Sequence, residues 1–143
     1  MKQLLLFNLG SRCYSLEIEK IQEIIENPLF HFIPCAPPFF CGAINFHGEI
    51  LPTLDLEFYL TGENSNFHPR VLALSTKSTG LALQVETARK IISIDPSELR
   101  PASAEEEFDC IMSTFDLQGI SIPVLNLDQL LRRVKEDLAV SMP

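Results

Sequence analysis

Gly48 to Leu60, GEILPTLDLEFYL, and Gly119 to Leu131, GISIPVLNLDQLL, repeat one pattern, and that pattern decides the fold. Gly48 aligns with Gly119, Leu51 with Ile122, Pro52 with Pro123, Leu54 with Leu125, Asp55 with Asn126, Leu56 with Leu127 and Leu60 with Leu131. Each copy reads as a hairpin glycine, a strand, a proline with no N–H to donate at an edge or bulge, then Asp or Asn as N-cap of a helix. Leu and Pro are common enough to coincide, yet agreement in turn, strand and cap, in order, favours a duplicated unit. Two related small β-lobes sharing a core are expected, in one domain spanning residues 1–143. Thr61 to Pro69, with Gly62, Asn64, Ser65 and Asn66, is the most linker-like stretch and the expected division between the lobes.

Working outward, short alternating or β-branched runs separated by turn signals dominate the chain. Gln3 to Leu9 and Arg12 to Ile18 flank Gly10-Ser11 as a hairpin, with Tyr14, Leu16 and Ile18 on one face and Cys13, Ser15 and Glu17 on the other. Ile21 to Glu26 fits both periods and is read as a turn entering a strand. Between Pro28 and Pro38 four prolines prevent sustained helix and leave an extended or edge segment. Ala43 to Phe46 and Glu49 to Leu54 form a hairpin turning at His47-Gly48. Arg70 to Ser75 with Leu81 to Val85, and Cys110 to Leu117 with Ile120 to Val124, read as two more, while Glu105-Glu106-Glu107 is a solvated loop. Leu127, Leu130, Leu131, Val134 and Leu138 recur at helical spacing behind Asn126, so a C-terminal helix docks one apolar face.

Composition sets the class. A length of 143 residues fits one domain at ~150 residues each, large enough to bury roughly 68–70% of its unfolded surface. With 46% hydrophobic and 21% charged residues, disorder, collagen and coiled coil are excluded. A net charge of −8 repels phosphate backbones and anionic lipid, which argues against nucleic-acid partners. Leu4-Leu5-Leu6-Phe7 is interrupted by Asn8, Gly10 and Arg12, too soon for a signal or a span, so no membrane insertion and a cytoplasmic location are expected. Cys13, Cys35, Cys41 and Cys110 contain no CxxC pair and read as reduced, mostly buried thiols.

No catalytic set assembles. His31, His47 and His68 lie in no HExxH or GxSxG frame, no glycine-rich phosphate loop precedes a helix, and no carboxylate pair suggests acid–base work. The chain is expected to be no enzyme and to carry no cofactor. His31, Cys35, Cys41 and His47 give H-x3-C-x5-C-x5-H, ligand types suited to tetrahedral zinc. Their irregular spacing along a proline-stiffened path favours ordinary thiols and histidines, with a zinc-bearing binding protein kept as an alternative. Phe30, Phe32, Phe39, Phe40 and Phe46 read chiefly as core, and one or two left exposed by the proline-rich segment would make an apolar docking patch.

Three strings carry a family resemblance: LLLFNLGSRCYSLEIEKIQEIIE from Leu4, IPCAPPFFCGAINFHGEILPTLDL from Ile33, and IPVLNLDQLL from Ile122. They are similar to the CheW-like domain family of bacterial chemotaxis coupling proteins, from about Leu4 to Leu131, LRPA at Leu99 to Ala102 included. The resemblance implies a mainly β fold of two intertwined SH3-like five-stranded β-barrels with short helices and a C-terminal helix. It implies a non-catalytic adaptor joining the cytoplasmic tip of methyl-accepting chemotaxis receptors to the regulatory domain of the histidine kinase CheA, and so recruited to membrane receptor arrays. An adaptor of a non-chemotaxis chemosensory pathway is the alternative. Ile21, Glu23, Gly42, Asn45, His47 and Gly48 are the implied partner-binding residues; of these the glycines read as shaping the fold and Glu23 as a contact. The chain departs from the family where Ala82 and Glu86 stand for Gly and Asp, and where His47 stands for Arg, losing a permanent charge and a five-donor fork. Either that contact is weakened, or the partner has changed so that a neutral imidazole fits.

Overall fold

The computed structural model describes residues 1–63, 70–74, 80–102 and 110–141, apart from the side chains of 89, 140 and 141. His68, the acidic run 105–107, and residues 64–69 and 75–79 of the expected linker and hairpin loop lie outside the described residues.

The strands in chain order are β1 (Lys2–Leu9), β2 (Arg12–Glu17), β3 (Ile21–Glu26), β4 (Phe40–Phe46), β5 (Glu49–Asp55), β6 (Arg70–Leu74), β7 (Ala82–Val85), β8 (Thr87–Ile94), β9 (Arg100–Pro101), β10 (Ile111–Leu117) and β11 (Ile120–Leu125). Helix α1 (Leu56–Thr61) follows β5, and α2 (Leu127–Ser141) follows β11. A 3₁₀ turn, Ile18–Lys20, precedes β3, so the turn expected within Ile21–Glu26 lies ahead of it and that whole stretch is strand. The fold is the expected mainly β, SH3-like pair. One sheet runs β8-β1-β2-β11-β10-β9 and the other β3-β6-β7-β5-β4, so the first gains a two-residue sixth strand, β9.

The repeat is structural. β4 and β5 pair antiparallel through His47-Gly48, and β10 and β11 through Gln118-Gly119. Both residues of each turn have positive φ, at 51° and 86° in the first and 50° and 80° in the second, the backbone of a tight hairpin turn of matching twist. Asp55 Oδ1 accepts from Phe58 N at 3.2 Å, and Asn126 Oδ1 from Gln129 N at 3.1 Å, so each strand runs into a capped helix. The prolines depart from expectation. Pro52 and Pro123 lie in strands with neighbours on both sides, not at an edge. Each stands one residue before a parallel pairing begins, Thr53 with Ala82 and Val124 with Ser15, so the missing N–H falls ahead of the parallel ladder.

The chain sorts into two compact units, one of Met1–Phe7, Cys13–Ile18 and Arg89–Pro143, the other of Asn8–Arg12 and Glu19–Ala88. The division expected near residues 61–69 lies largely outside the described residues. The parallel pairing of β11 with β2 recruits the N-terminal strands to the C-terminal sheet. In the first unit Leu4, Leu6, Ile94, Phe115, Ile122 and Val124 pack together; in the second Ile44, Phe46, Leu51, Val71, Ala73 and Ala82 do. Along α2, Leu127, Leu130 and Val134 are buried, while Leu131 and Leu138 at the margins of the stripe are half-buried.

Candidate partner-binding site

All six residues singled out in the sequence fall in the second unit. Ile21 opens β3 half-buried opposite Leu74, and a register shift between Ile21 and Glu23 breaks the regular alternation there. Glu23, opposite Ala73, is exposed. Strand β3 is one edge of its sheet and β4 the other. Even so, His47 Nε2, at the end of β4, lies 3.6 Å from Glu23 Oε1, so the sheet curls until its edges meet.

The turn that carries His47 is built by its neighbours. Asn45 Oδ1 accepts a hydrogen bond from Gly48 N at 3.0 Å, bridging the turn. The imidazole sits edge-on to the Phe46 ring, centroids 4.3 Å apart, and Phe46 is buried. Asn45, His47 and Gly48 therefore present one exposed tip with Glu23 across from it. Gly42 is different. It is buried at φ +143°, and a Cβ there would come within 2.9 Å of the His31 carbonyl, so it shapes the fold and offers no surface to a partner.

The proline-rich segment is tied to the same edge. His31 N donates to Ala43 O at 2.7 Å and Ala43 N to His31 O at 2.8 Å, an isolated bridge that supports β4. In the same segment Leu29 and Phe32 are 76% and 86% exposed, so Phe32 is a phenylalanine that the core does not take up. Two further apolar residues went unnoticed in the sequence: Ile24 beside Glu23, and Ile50, which pairs with Asn45 and is 62% exposed. The signal for Ile50 was present, because Ile50 and Leu51 are adjacent in a strand and must face opposite ways.

The four candidate zinc ligands do not gather. Among the described residues no group of three or more His, Cys, Asp or Glu side chains is placed to hold a metal. Cys35 is exposed in a left-handed backbone conformation at φ +60°. Cys41, expected to be buried, presents surface, but its Sγ donates to the Thr53 carbonyl at 3.4 Å. Desolvation of that sulfur, reinforced by the nearby Asp55 carboxylate, pushes its thiol up to about 12, so it stays protonated.

The model of one protein family, the CheW-like domain, matches residues 3–135. The chain belongs to the CheW-like domain family. Chemotaxis protein CheW of Klebsiella aerogenes is 28% identical over 121 residues, 83% of this chain and 71% of that protein. Chemotaxis protein CheW of Treponema pallidum is 32% identical over 97 residues, covering 65% of this chain and 53% of that protein. The Bacillus subtilis protein of the same name is 21% identical over 71% of this chain and 66% of its own length. The match thus spans less than two thirds of the latter two. The crystal structure of the scaffolding protein TtCheW from Thermoanaerobacter tengcongensis shares the fold, with a TM-score of 0.78 at 22% identity over 87% of this chain and 88% of that one.

As a CheW-like domain the chain is a chemotaxis scaffold of the family's kind. Its departures sit differently in the structure. Ala82 is fully buried in β7 beside Thr53 and Ala73, so its methyl belongs to the core, and Glu86 N is held by the Asn8 carbonyl at 3.1 Å. His47, by contrast, stands at the exposed tip. Among the described residues no helix is long and apolar enough to cross a membrane.

Proposed function

We propose that this chain is a non-catalytic adaptor that couples the cytoplasmic tips of chemoreceptors to the regulatory domain of the histidine kinase CheA. The observation that carries the reading is the convergence of Glu23 with Asn45, His47 and Gly48 at one exposed place, within a fold whose family is one of scaffolds. Such a tip offers an acceptor carboxylate, an imidazole and a rigid backbone turn, with Ile50, paired with Asn45 and exposed, as an apolar anchor in register. It offers recognition chemistry and no nucleophile with its base. The adaptor works in the cytoplasm and reaches receptor arrays through its partners.

Titration calorimetry of the purified protein against a receptor tip and against the kinase regulatory domain from the same genome tests this. Binding to both, weakened at least tenfold by Glu23→Lys with an unchanged melting curve, is expected. Binding to neither sinks the reading.

A further inference from the structure

We propose that Glu57 clasps the tip of the first hairpin, residues 8–12, to helix α1, so that the tip opens only together with the five-stranded sheet on which that helix rests.

Strands β1 and β2 form one hairpin through the Gly10-Ser11 turn, yet its two parts sort differently. The stems, Met1–Phe7 and Cys13–Ile18, group with the first unit, whereas Asn8–Arg12 groups with the second. A tip that separates from its own stems is held by contacts other than their ladder. At its root Glu86 N donates to the Asn8 carbonyl at 3.1 Å, and Leu9 is buried. At its apex stands Glu57, from the first turn of α1, whose Oε1 lies 2.7 Å from where a Cβ on Gly10 would be. Gly10 has φ +63°, so glycine suits this turn twice, by its backbone and by the room it leaves for the carboxylate.

The chemistry on both sides fits a clasp. Residues 8–12 carry one cation, Arg12, and no carboxylate, in a chain of net charge −8, so an acid from α1 meets no acid on the tip. Glu57 is half-buried and its backbone is fixed. Its carbonyl accepts from Thr61 Oγ1 at 2.7 Å, Asp55 caps the start of the helix, and Gly62 N closes its end on the Phe58 carbonyl. Six residues are too few to hold a helix by themselves, so α1 is kept by packing, and it packs against β5 and β7. Strand β7 is the middle of its sheet and pairs in parallel with β5. One side chain thereby links the tip to the centre of that sheet. A hold by a charged group of this kind shifts an opening equilibrium by about tenfold or more.

Amide hydrogen exchange of the full chain, followed by NMR, tests the clasp. In the wild type Leu9 and Arg12, which flank the turn, should open with β6 and β7, their protection factors agreeing within about threefold. In Glu57→Ala both should exchange about tenfold or more faster than β6 and β7 do. Gly10→Ala pushes the carboxylate aside without removing it. It should speed Leu9 and Arg12 about threefold more in the wild-type background than in Glu57→Ala, where only the left-handed backbone cost remains. Asn126→Ala, which weakens a cap in the other unit, should leave the tip in step with β6 and β7. The clasp is overturned if the tip already opens ahead of β6 and β7 in the wild type, or if Glu57→Ala speeds tip and sheet alike. It is equally overturned if Gly10→Ala acts the same in both backgrounds, or if Asn126→Ala frees the tip as Glu57→Ala does.

Discussion

Ser15 Oγ donates a 2.8 Å hydrogen bond to the carbonyl oxygen of Pro123, a residue 108 positions away in sequence. Ser15 is fully buried, and it sits opposite Val124 where β11 joins β2 in parallel. The hydroxyl thus has a partner in a place where an unpaired polar group would be costly, and the bond marks the seam between the ends of the chain.

Ser15→Ala should leave the Pro123 carbonyl without this donor and destabilise the protein by about 1–3 kcal/mol. Chemical denaturation reads this as a lower midpoint at unchanged slope. Ser15→Cys, which keeps a small weak donor, should lose less. A midpoint unmoved by Ser15→Ala contradicts the role given to the bond.

The matched caps give a second test. Asp55→Ala and Asn126→Ala each remove an acceptor from a helix N-terminus and should cost about 1 kcal/mol apiece. Because the two caps lie in different units, the losses should add in the double variant to within about 0.5 kcal/mol. Strong non-additivity in thermal or denaturant unfolding is the result that would count against two independent copies of one strand-to-helix device.

Gly42→Ala should behave as a folding defect. The added methyl meets the His31 carbonyl at 2.9 Å at a backbone angle that suits glycine, so the bridge from His31 to Ala43 must shift. A loss of about 1–3 kcal/mol is expected. Partner affinity measured on the folded fraction should fall less than it does for Glu23→Lys. Gly48→Ala, where a Cβ meets nothing within 4 Å, should pay only the left-handed backbone cost of about 1–2 kcal/mol.

Thiol chemistry separates two exposed cysteines. Cys41 is held as a thiol by desolvation and by Asp55, so iodoacetamide at about pH 8.5 should label Cys35 first. The sign for stability follows from proton counting. The folded Cys41 keeps its proton up to about 12 whereas the unfolded thiol releases it near 9.0, so stability falls as pH rises between those values. Cys41→Ser should flatten that alkaline fall, and mass mapping of early labelling products gives the order of reaction.

What could be read in the sequence was what local chemistry specifies. Turn glycines at 48 and 119 and caps at 55 and 126 act over a few residues, so the repeat announced both hairpins and both helices. Ile21, Glu23 and His47 were reached through the family pattern, but their meeting was not legible, because it requires a sheet to curl until β3 and β4 face each other. The same limit hid the placement of Pro52 and Pro123, whose tolerance depends on where a parallel neighbour begins. It also hid the burial of Ser15, whose satisfaction comes from a carbonyl 108 positions on. Gly42 was read as shaping the fold, and its close approach to the His31 carbonyl gives the physical reason, which no local pattern shows.

The division of the chain at 7/8, 12/13, 18/19 and 88/89 has a consequence for a molecule made from its N-terminus onward. The second unit is complete in sequence once Ala88 has been synthesised, whereas β1 and β2, made first, must wait for β10 and β11, made last. During translation the first strands are therefore an unfinished sheet held open across the assembly of an entire neighbouring unit. No single cut in the polypeptide can free one unit whole from the other, because each is built from more than one stretch of chain.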